Sequence, residues 1–194
     1  MRIVGGEWRG RAIEAPQGRD VTRPTTDRVR EAVASMLLSA RDLTLEGARV
    51  LDAFAGSGAL GLELLSRGAA WCTFVDRDRE SAERVGRNAR SLGADRSRHA
   101  VLRGDVERLA LRGSVSGGPF DILVLDPPYA DDASWVASIV DALAKGGALA
   151  PGALVLYERA ATAPVLELPC LEPCKSKRYG QTAVDLLRLR GDAR

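Results

Sequence analysis

Four consecutive residues, Asp126-Pro127-Pro128-Tyr129, carry the most specific chemistry in the sequence. Two prolines in a row fix two φ angles and remove two backbone N–H donors. What remains is a stiff row of acceptors, the Asp126 carboxylate and the nearby carbonyls, beside an aromatic ring. Such a row suits an exocyclic amine. Its N–H groups would donate to Asp126 and to the Pro127 carbonyl, which turns the nitrogen lone pair toward a methyl donor. Alignment of this kind supplies much of the rate when the leaving group is already good. Tyr129 can stack on the ring that carries the amine, worth about 1–3 kcal/mol for a nucleic-acid base. A base inside a duplex cannot reach such a pocket, so the target has to be unpaired or flipped out. The plain alternative is a Pro-Pro turn with Tyr129 as packing.

Upstream, Gly56-Ser57-Gly58-Ala59-Leu60-Gly61 matches G-x-G-x-x-G between an apolar run and a helical one, with Asp76 ending the next apolar run. By itself this is also the pattern of a dinucleotide site, where the acid binds a ribose hydroxyl. Asp52, just before the loop, separates the two readings. A dinucleotide would bring a pyrophosphate to the loop, and a carboxylate beside it would repel that group. S-adenosylmethionine has no phosphate; it carries an α-ammonium and a sulfonium, both positive. An acid at the strand end suits that ligand, the glycines allow close backbone approach, Asp76 would take the ribose hydroxyls, and Asp105 would meet the adenine edge. With Phe54, Ala55, Gly56, Ser57, Gly58, Arg77 and Val106, these acids form the expected cofactor-binding set. Asp52 could instead only cap a turn, but three acids follow three successive strands, and ligands sit at the carboxyl ends of such sheets.

These residues need a scaffold of alternating strands and helices, and the pattern predicts one. Strands are expected at 49–54, 71–75, 101–102, 120–125, 154–157 and 184–189, and helices at 60–67, 79–92 and 134–144, closed by Gly68, Gly93 and Gly146-Gly147. Continuous apolar strands alternating with helices mean a mostly parallel sheet covered on both faces. Ahead of it, Ile3-Val4 and Ala12-Ile13 read as a hairpin, and Val29, Val33, Met36 and Leu37 as the apolar stripe of a helix that leaves Arg28 and Arg30 facing outward. Residues 1–40 are thus expected to form an appendage and 41–194 the main domain.

The chain has 194 residues, 45% of them hydrophobic and 28% charged, with a net charge of +2. No apolar run is long enough to span a bilayer, and the first residues lack a secretory apolar core, so the expectation is a cytoplasmic protein with no membrane partner. Cys72 reads as a small buried hydrophobe. Cys170 and Cys174 with the one histidine, His99, do not make a zinc set, and no metal is expected. Lys145, Lys175 and Lys177 apart, the 28 basic residues are arginines, and seven of these crowd the first thirty residues. That cluster and the Lys175–Arg178 stretch could form one nucleic-acid face.

The run Asp52-Ala53-Phe54-Ala55-Gly56-Ser57-Gly58 resembles the first motif of class I S-adenosylmethionine methyltransferases, and Asp126-Pro127-Pro128-Tyr129 resembles the fourth motif of the amino-methyltransferases, whose targets are adenine N6, cytosine N4, guanine N2 or a glutamine amide. The opening Arg2–Arg11, the block Arg23-Pro24-Thr25-Thr26-Asp27-Arg28-Val29-Arg30-Glu31 and the closing Arg178-Tyr179-Gly180-Gln181-Thr182 resemble the bacterial RsmD family of 16S ribosomal RNA guanine-N2 methyltransferases. The resemblance implies an α/β, doubly wound, Rossmann-like sheet of seven strands with a late antiparallel one. It implies S-adenosylmethionine as cofactor, 16S rRNA in an assembling small subunit as partner, a monomer, and RNA contacts at Arg9, Arg11, Arg23, Thr25, Arg28, Arg30, Lys175, Lys177, Arg178 and Tyr179. The stretch Cys170–Cys174 departs most from the family's pattern. Two other functions stay open: an adenine-N6 or other amino-methyltransferase of DNA or RNA, and a non-catalytic RNA-binding assembly factor that keeps the fold.

Overall fold

The computed structural model describes residues 1–16, 27–128 and 133–191. Arg23, Thr25 and Tyr129, named above, lie outside the described residues. One seven-stranded sheet runs in the order β3 (His99–Arg103), β2 (Trp71–Asp76), β1 (Arg49–Asp52), β4 (Phe120–Leu125), β5 (Leu149–Ala160), β7 (Thr182–Leu189), β6 (Leu171–Tyr179). The first five strands in chain order are parallel, and β7 is antiparallel to both β5 and β6. The chain therefore winds outward from β1 to β3, then restarts at β4 on β1's other side. That reversal between β1 and β4 opens a crevice at the carboxyl ends of the strands.

Alternation along the strands sorts the side chains onto two faces. Val50, Cys72, Phe74, Ile122, Val124, Leu154, Leu156, Val184 and Leu186 pack under the N-terminal segment, α1 (Asp27–Ala40), α2 (Ala59–Ser66) and α3 (Arg79–Leu92). Leu51, Val75, Leu123, Leu125, Val155, Tyr157, Leu187 and Leu189 pack under α4 (Val106–Leu111) and α5 (Ala133–Lys145). Fully burying one such side chain contributes about 1.5–3 kcal/mol. Helix α3 spans the residues the sequence predicts: it starts on an Asp78 cap, whose side chain accepts from the Ser81 N–H, and ends on Gly93 at φ 71°, while α2 and α5 lie within one residue of their expected bounds.

Three elements escaped the sequence reading, the shortest a single 3-10 turn at Arg96–Arg98 capped by Asp95. Helix α4 has only six residues, fewer than two turns, and shows no readable period. Strand β6 is an edge strand whose residues from Pro173 to Arg178 are exposed, so it lacks the apolar alternation by which strands are recognised. Its inner side is fixed instead by polar contacts. The Arg159 guanidinium meets the buried Asp185 carboxylate at 2.6 Å, and the Ser176 hydroxyl donates to the same carboxylate at 2.5 Å.

The expected N-terminal hairpin is reduced to a single antiparallel bridge, Arg2 with Ala12. Its position comes from docking rather than pairing. Ile3, Trp8 and Ile13 join the same apolar cluster as α1, α2 and the strands beneath. Glu63, fully buried in α2, accepts from the Val4 and Gly5 N–H groups at 2.7 and 2.8 Å and from Arg67 at 2.7 Å. The Ser66 hydroxyl accepts from the Trp8 N–H and donates to the Gly5 carbonyl. Gly6 sits at φ 78°, and a Cβ there would fall 1.9 Å from the Ser66 carbonyl oxygen, so the Gly5-Gly6 pair is a docking requirement. Glu63→Ala strands two backbone donors and one arginine. At about 1–3 kcal/mol for each unsatisfied donor, a loss of roughly 2–4 kcal/mol is expected. Thermal denaturation of the variant checks this; an unchanged melting temperature would mean that the dock contributes nothing to stability.

Candidate functional site

The crevice is lined by acids that the strand order brings side by side. Asp76 and Asp52 end β2 and β1, and Asp105 and Asp126 follow β3 and β4, four neighbouring parallel strands about 4.8 Å apart. Asp52 pairs in register with Phe74 and Val124, so Asp76 and Asp126 each stand two residues further out. The sequence-named carboxylates therefore converge on one edge of the sheet.

Asp52 is the innermost, 3% exposed, and its Oδ2 accepts from the Gly61 N–H at 3.1 Å. Helix α2 has no side-chain cap of its own at Gly58, so Asp52 does that work from the strand. Burial pushes its carboxyl up to about 7; the hydrogen bond from Gly61 opposes this and the nearby Asp76 charge adds to it. The turn-capping role weighed against a ligand role is thus part of what Asp52 does. A second role depends on a cation beside it. Burial, and then the Asp52 charge, also hold the Cys72 thiol well above its usual range, which leaves it an inert core residue.

The glycines of the loop differ in purpose. Gly56 (φ 55°) and Gly58 (φ 75°) adopt the left-handed conformation the turn needs, and a Cβ on Gly56 would meet nothing within 4 Å, so its outer side is open. Gly61 is different: a Cβ there would lie 2.4 Å from the Phe74 ring, 2.8 Å from the Cys72 sulfur and 3.0 Å from Asp52 Oδ2, so this glycine lets α2 close down on the sheet. Asp76 links loop and strand, accepting from the Gly56 N–H at 2.8 Å and the Asp78 N–H at 2.9 Å. Each of its oxygens keeps lone-pair capacity for a hydroxyl. Ala55 is buried with its N–H on the Val75 carbonyl, and Ser57 is buried. Arg77 is exposed in the turn after β2. Asp105 caps α4, accepting from the Arg108 N–H at 3.0 Å. The Val106 side chain is buried in the core, which leaves its backbone as the part able to face a ligand.

Phe54 leans toward this edge and meets Trp135 of α5, ring centroids 5.5 Å apart. The Trp135 indole donates to Glu107 of α4 at 3.0 Å, and the Ser138 hydroxyl to the same carboxylate at 2.7 Å. The start of α5 is thereby tied to the loops after β1 and β3. Between β4 and α5, Asp126 and Pro128 are exposed and Pro127 is buried.

The basic residues named from the sequence divide. Arg9 and Arg28 are exposed, as are Lys175, Lys177 and Arg178 along β6. Arg178 also donates to the Gly180 carbonyl in the β6–β7 turn. Arg30, expected to face outward, is instead 1% exposed and donates to the Arg2 carbonyl at 2.8 Å and to Asp27 at 2.6 Å. It lies one position after Val29 of the apolar stripe, and the N-terminal segment covers it. Arg11 donates to the Leu92 carbonyl at 2.6 Å and to the Ser91 carbonyl, closing the end of α3. Tyr179 is half-buried against the core, and its hydroxyl has no hydrogen-bond partner among the described residues.

Sequence reasoning missed the buried polar residues that hold these parts together. Glu63 and Asn88 each sit inside an otherwise apolar helix face, Glu63 among Leu62, Leu64 and Leu65, and Asn88 among Val85, Ala89 and Leu92. That placement was the available signal, because a polar group buried without partners is costly.

A profile for conserved hypothetical protein 95 matches residues 1–188. The chain is 38% identical to ribosomal RNA small subunit methyltransferase D of Escherichia coli strain K12 over 158 residues, 81% of this chain and 74% of that protein. It is 31% identical to the protein of the same name from Haemophilus influenzae over 167 residues, 86% of this chain and 82% of the other. Among solved structures, the Escherichia coli protein yhhF superposes with a TM-score of 0.81 at 32% identity, covering 99% of each chain. A hypothetical protein of Thermus thermophilus, TTHA0928, superposes at 0.76 with 30% identity, over 96% of this chain and 98% of the other. The match runs through the N-terminal segment, the glycine loop and the Asp126-Pro127-Pro128 edge alike, and the chain belongs to the RsmD family.

Proposed function

We propose that the chain transfers a methyl group from S-adenosylmethionine to the exocyclic N2 amine of a guanine in small-subunit (16S) ribosomal RNA. The observation that carries the reading is the placement of Asp126-Pro127-Pro128 at the end of β4, beside β1 with its buried Asp52 and the open glycine loop. The donor set fits this cofactor. A buried carboxyl titrating at about 7 gains a partner from a cationic ligand and would repel a pyrophosphate. Asp76 and Asp105 offer acceptors to ribose hydroxyls and an adenine amine. When bound, the cofactor supplies an activated methyl group on sulfur.

The chain's own residues would then do the aligning. Asp126 and the Pro127 carbonyl accept the two amine protons and fix the nitrogen lone pair along the line of transfer. After transfer the nitrogen must lose a proton, and the Asp126 carboxylate is the base this reading places beside it. The ribosomal RNA target is supported by what the similar proteins from Escherichia coli and Haemophilus influenzae are named for. The exposed row Lys175, Lys177 and Arg178 ends at the same edge of the sheet as Asp126, because Arg178 pairs with Ala183, Ala183 with Arg159, and β5 runs parallel to β4. Lys175 and Lys177 share one face of β6 and suit a phosphate backbone, while Arg178 lies on the other face.

Nucleoside mass spectrometry tests the reading on rRNA incubated with enzyme and cofactor, comparing naked RNA with isolated small subunits. N2-methylguanosine in one position of the small-subunit RNA is the expected product. Methyl groups on adenine would move the enzyme to the other amino-methyltransferase class, and no methylation of either substrate would leave only an RNA-binding role.

A further inference from the structure

Leu125 of β4 pairs in register with Tyr157 of β5. The next residue in each chain segment is an acid, Asp126 and Glu158, so their backbones stand about one strand spacing, roughly 4.8 Å, apart. Side chains alternate along β5. Val155 and Tyr157 pack in the cluster under α4 and α5, and Leu154 and Leu156 in the cluster under α1 and α2. Glu158 continues the second series and is 7% exposed. Its neighbour on β7 is Val184, a member of that same apolar cluster. Asp52 of β1 belongs to this face too, bonded to Gly61 of α2. The cofactor loop therefore lies on one side of Asp126, after β1, and Glu158 lies on the other, on β5.

A carboxylate is costly to place between Leu156 and Val184. Asp185, the buried acid on the next strand, faces the opposite side and is occupied by Arg159 and Ser176. Glu158 stands instead at the edge where the amine has to be held. Its two oxygens offer about four lone-pair sites, so a contact within the fold leaves room for an N–H of a ligand. The row continues outward. Val184 also pairs with Lys177, which is exposed on the same face, two strand spacings or roughly 10 Å from Glu158. A strand of RNA whose phosphate meets Lys177 can bring its base to Glu158 and Asp126.

We propose that the Glu158 carboxylate accepts the N1–H of the target guanine and is the residue that selects guanine over adenine. This rests on the guanine-N2 reading above. Guanine carries its N2 amine and its N1–H side by side on the Watson–Crick edge, the edge by which an extruded base is read. With both amine protons on Asp126 and the Pro127 carbonyl, the N1 proton is the next donor along, and the next strand supplies the acceptor. Adenine has a lone pair at N1. It would face the carboxylate with no proton between them, leaving a buried acceptor unmatched. The same residue therefore separates the guanine reaction from the adenine-N6 one.

The probe is 2-aminopurine, which keeps the amine at C2 and lacks the N1 proton. Small subunits are reconstituted with RNA carrying guanine or 2-aminopurine at the methylated position, and single-turnover transfer is measured on each. Wild-type protein is expected to favour guanine by on the order of 100-fold or more, as a site built around an N–H rejects an analogue without it. Glu158→Gln presents an amide that can donate to the bare N1, and the preference is expected to fall about 10-fold or more. Glu158→Ala removes the acceptor for both bases and should lower the ratio as well. A role confined to folding would slow both bases alike and leave the ratio where it was. Binding of S-adenosylhomocysteine identifies the variants that have folded. Similar wild-type rates on the two bases, or an unchanged ratio in a variant that still binds S-adenosylhomocysteine, overturns the assignment of Glu158 while leaving transfer to the guanine amine standing. Absence of wild-type transfer to guanine-containing subunits overturns the guanine reading itself, and the role of Glu158 with it.

Discussion

Asp126→Ala is expected to cut methyl transfer by a factor on the order of 10² to 10³, while the affinity for S-adenosylmethionine stays within a few-fold of wild type. The split follows from where Asp126 stands. It is two residues beyond the last β4 residue paired with β1 and exposed, whereas the carboxylate bonded to the loop's Gly61 is that of the buried Asp52. Its loss leaves the glycine loop, Asp76 and Asp105 as they are. What goes is the acceptor that turns the amine toward the methyl group, and an interaction made by the reacting atoms appears in kcat rather than in cofactor binding. Single-turnover transfer to small-subunit RNA, with calorimetry of cofactor binding alongside, reads both quantities. Near-normal turnover would remove Asp126 from the reaction, and a parallel collapse of cofactor affinity would assign it to the cofactor instead.

Much of this site was legible because it sits at ends of elements that announce themselves. The strand over Phe120–Leu125 is a continuous apolar run, and the two prolines after it can only mark its end. Once β1, β2 and β4 are recognised, a parallel sheet puts their carboxyl ends together, and the acids that follow them converge without further assumption. The docking of the N-terminal segment was not legible in the same way. Arg11 and Arg30 look in the sequence like their exposed neighbours Arg9 and Arg28, yet one closes α3 and the other is buried under Arg2. Nothing local distinguishes an arginine that meets RNA from one that meets a carbonyl far away in the chain; the partner is set by tertiary packing. The same holds for β6, whose place is decided by β7 and by the Ser176–Asp185 contact rather than by its own pattern.

Asp52→Asn tests the other half of the site, and its effects on binding and on stability should point in opposite directions. Asparagine can still accept from the Gly61 N–H, so α2 keeps its cap. It cannot meet a cationic ligand with a full charge. Charge-assisted hydrogen bonds are worth about 1.5–3 kcal/mol, so affinity for S-adenosylmethionine should fall about 10- to 100-fold above pH 7. In the wild-type protein the carboxyl titrates at about 7 because burial disfavours its charge, and a bound cation pulls that value down. Binding then releases a proton near neutral pH, and wild-type affinity weakens as pH drops through about 7, whereas the asparagine variant shows no such dependence over the same range. Stability follows the opposite course. The carboxyl is raised from 3.8, so the folded protein holds a proton that the unfolded chain has given up between about pH 4 and 7. Its contribution is complete below the lower value and lost as pH rises through the upper one. Above pH 7 the wild-type site keeps a buried charge without a ligand, and the variant, free of it, should melt no lower and by this argument higher. A variant whose affinity is unchanged would show that Asp52 is a helix cap and little else, and would remove the main physical reason for preferring a sulfonium cofactor to a dinucleotide.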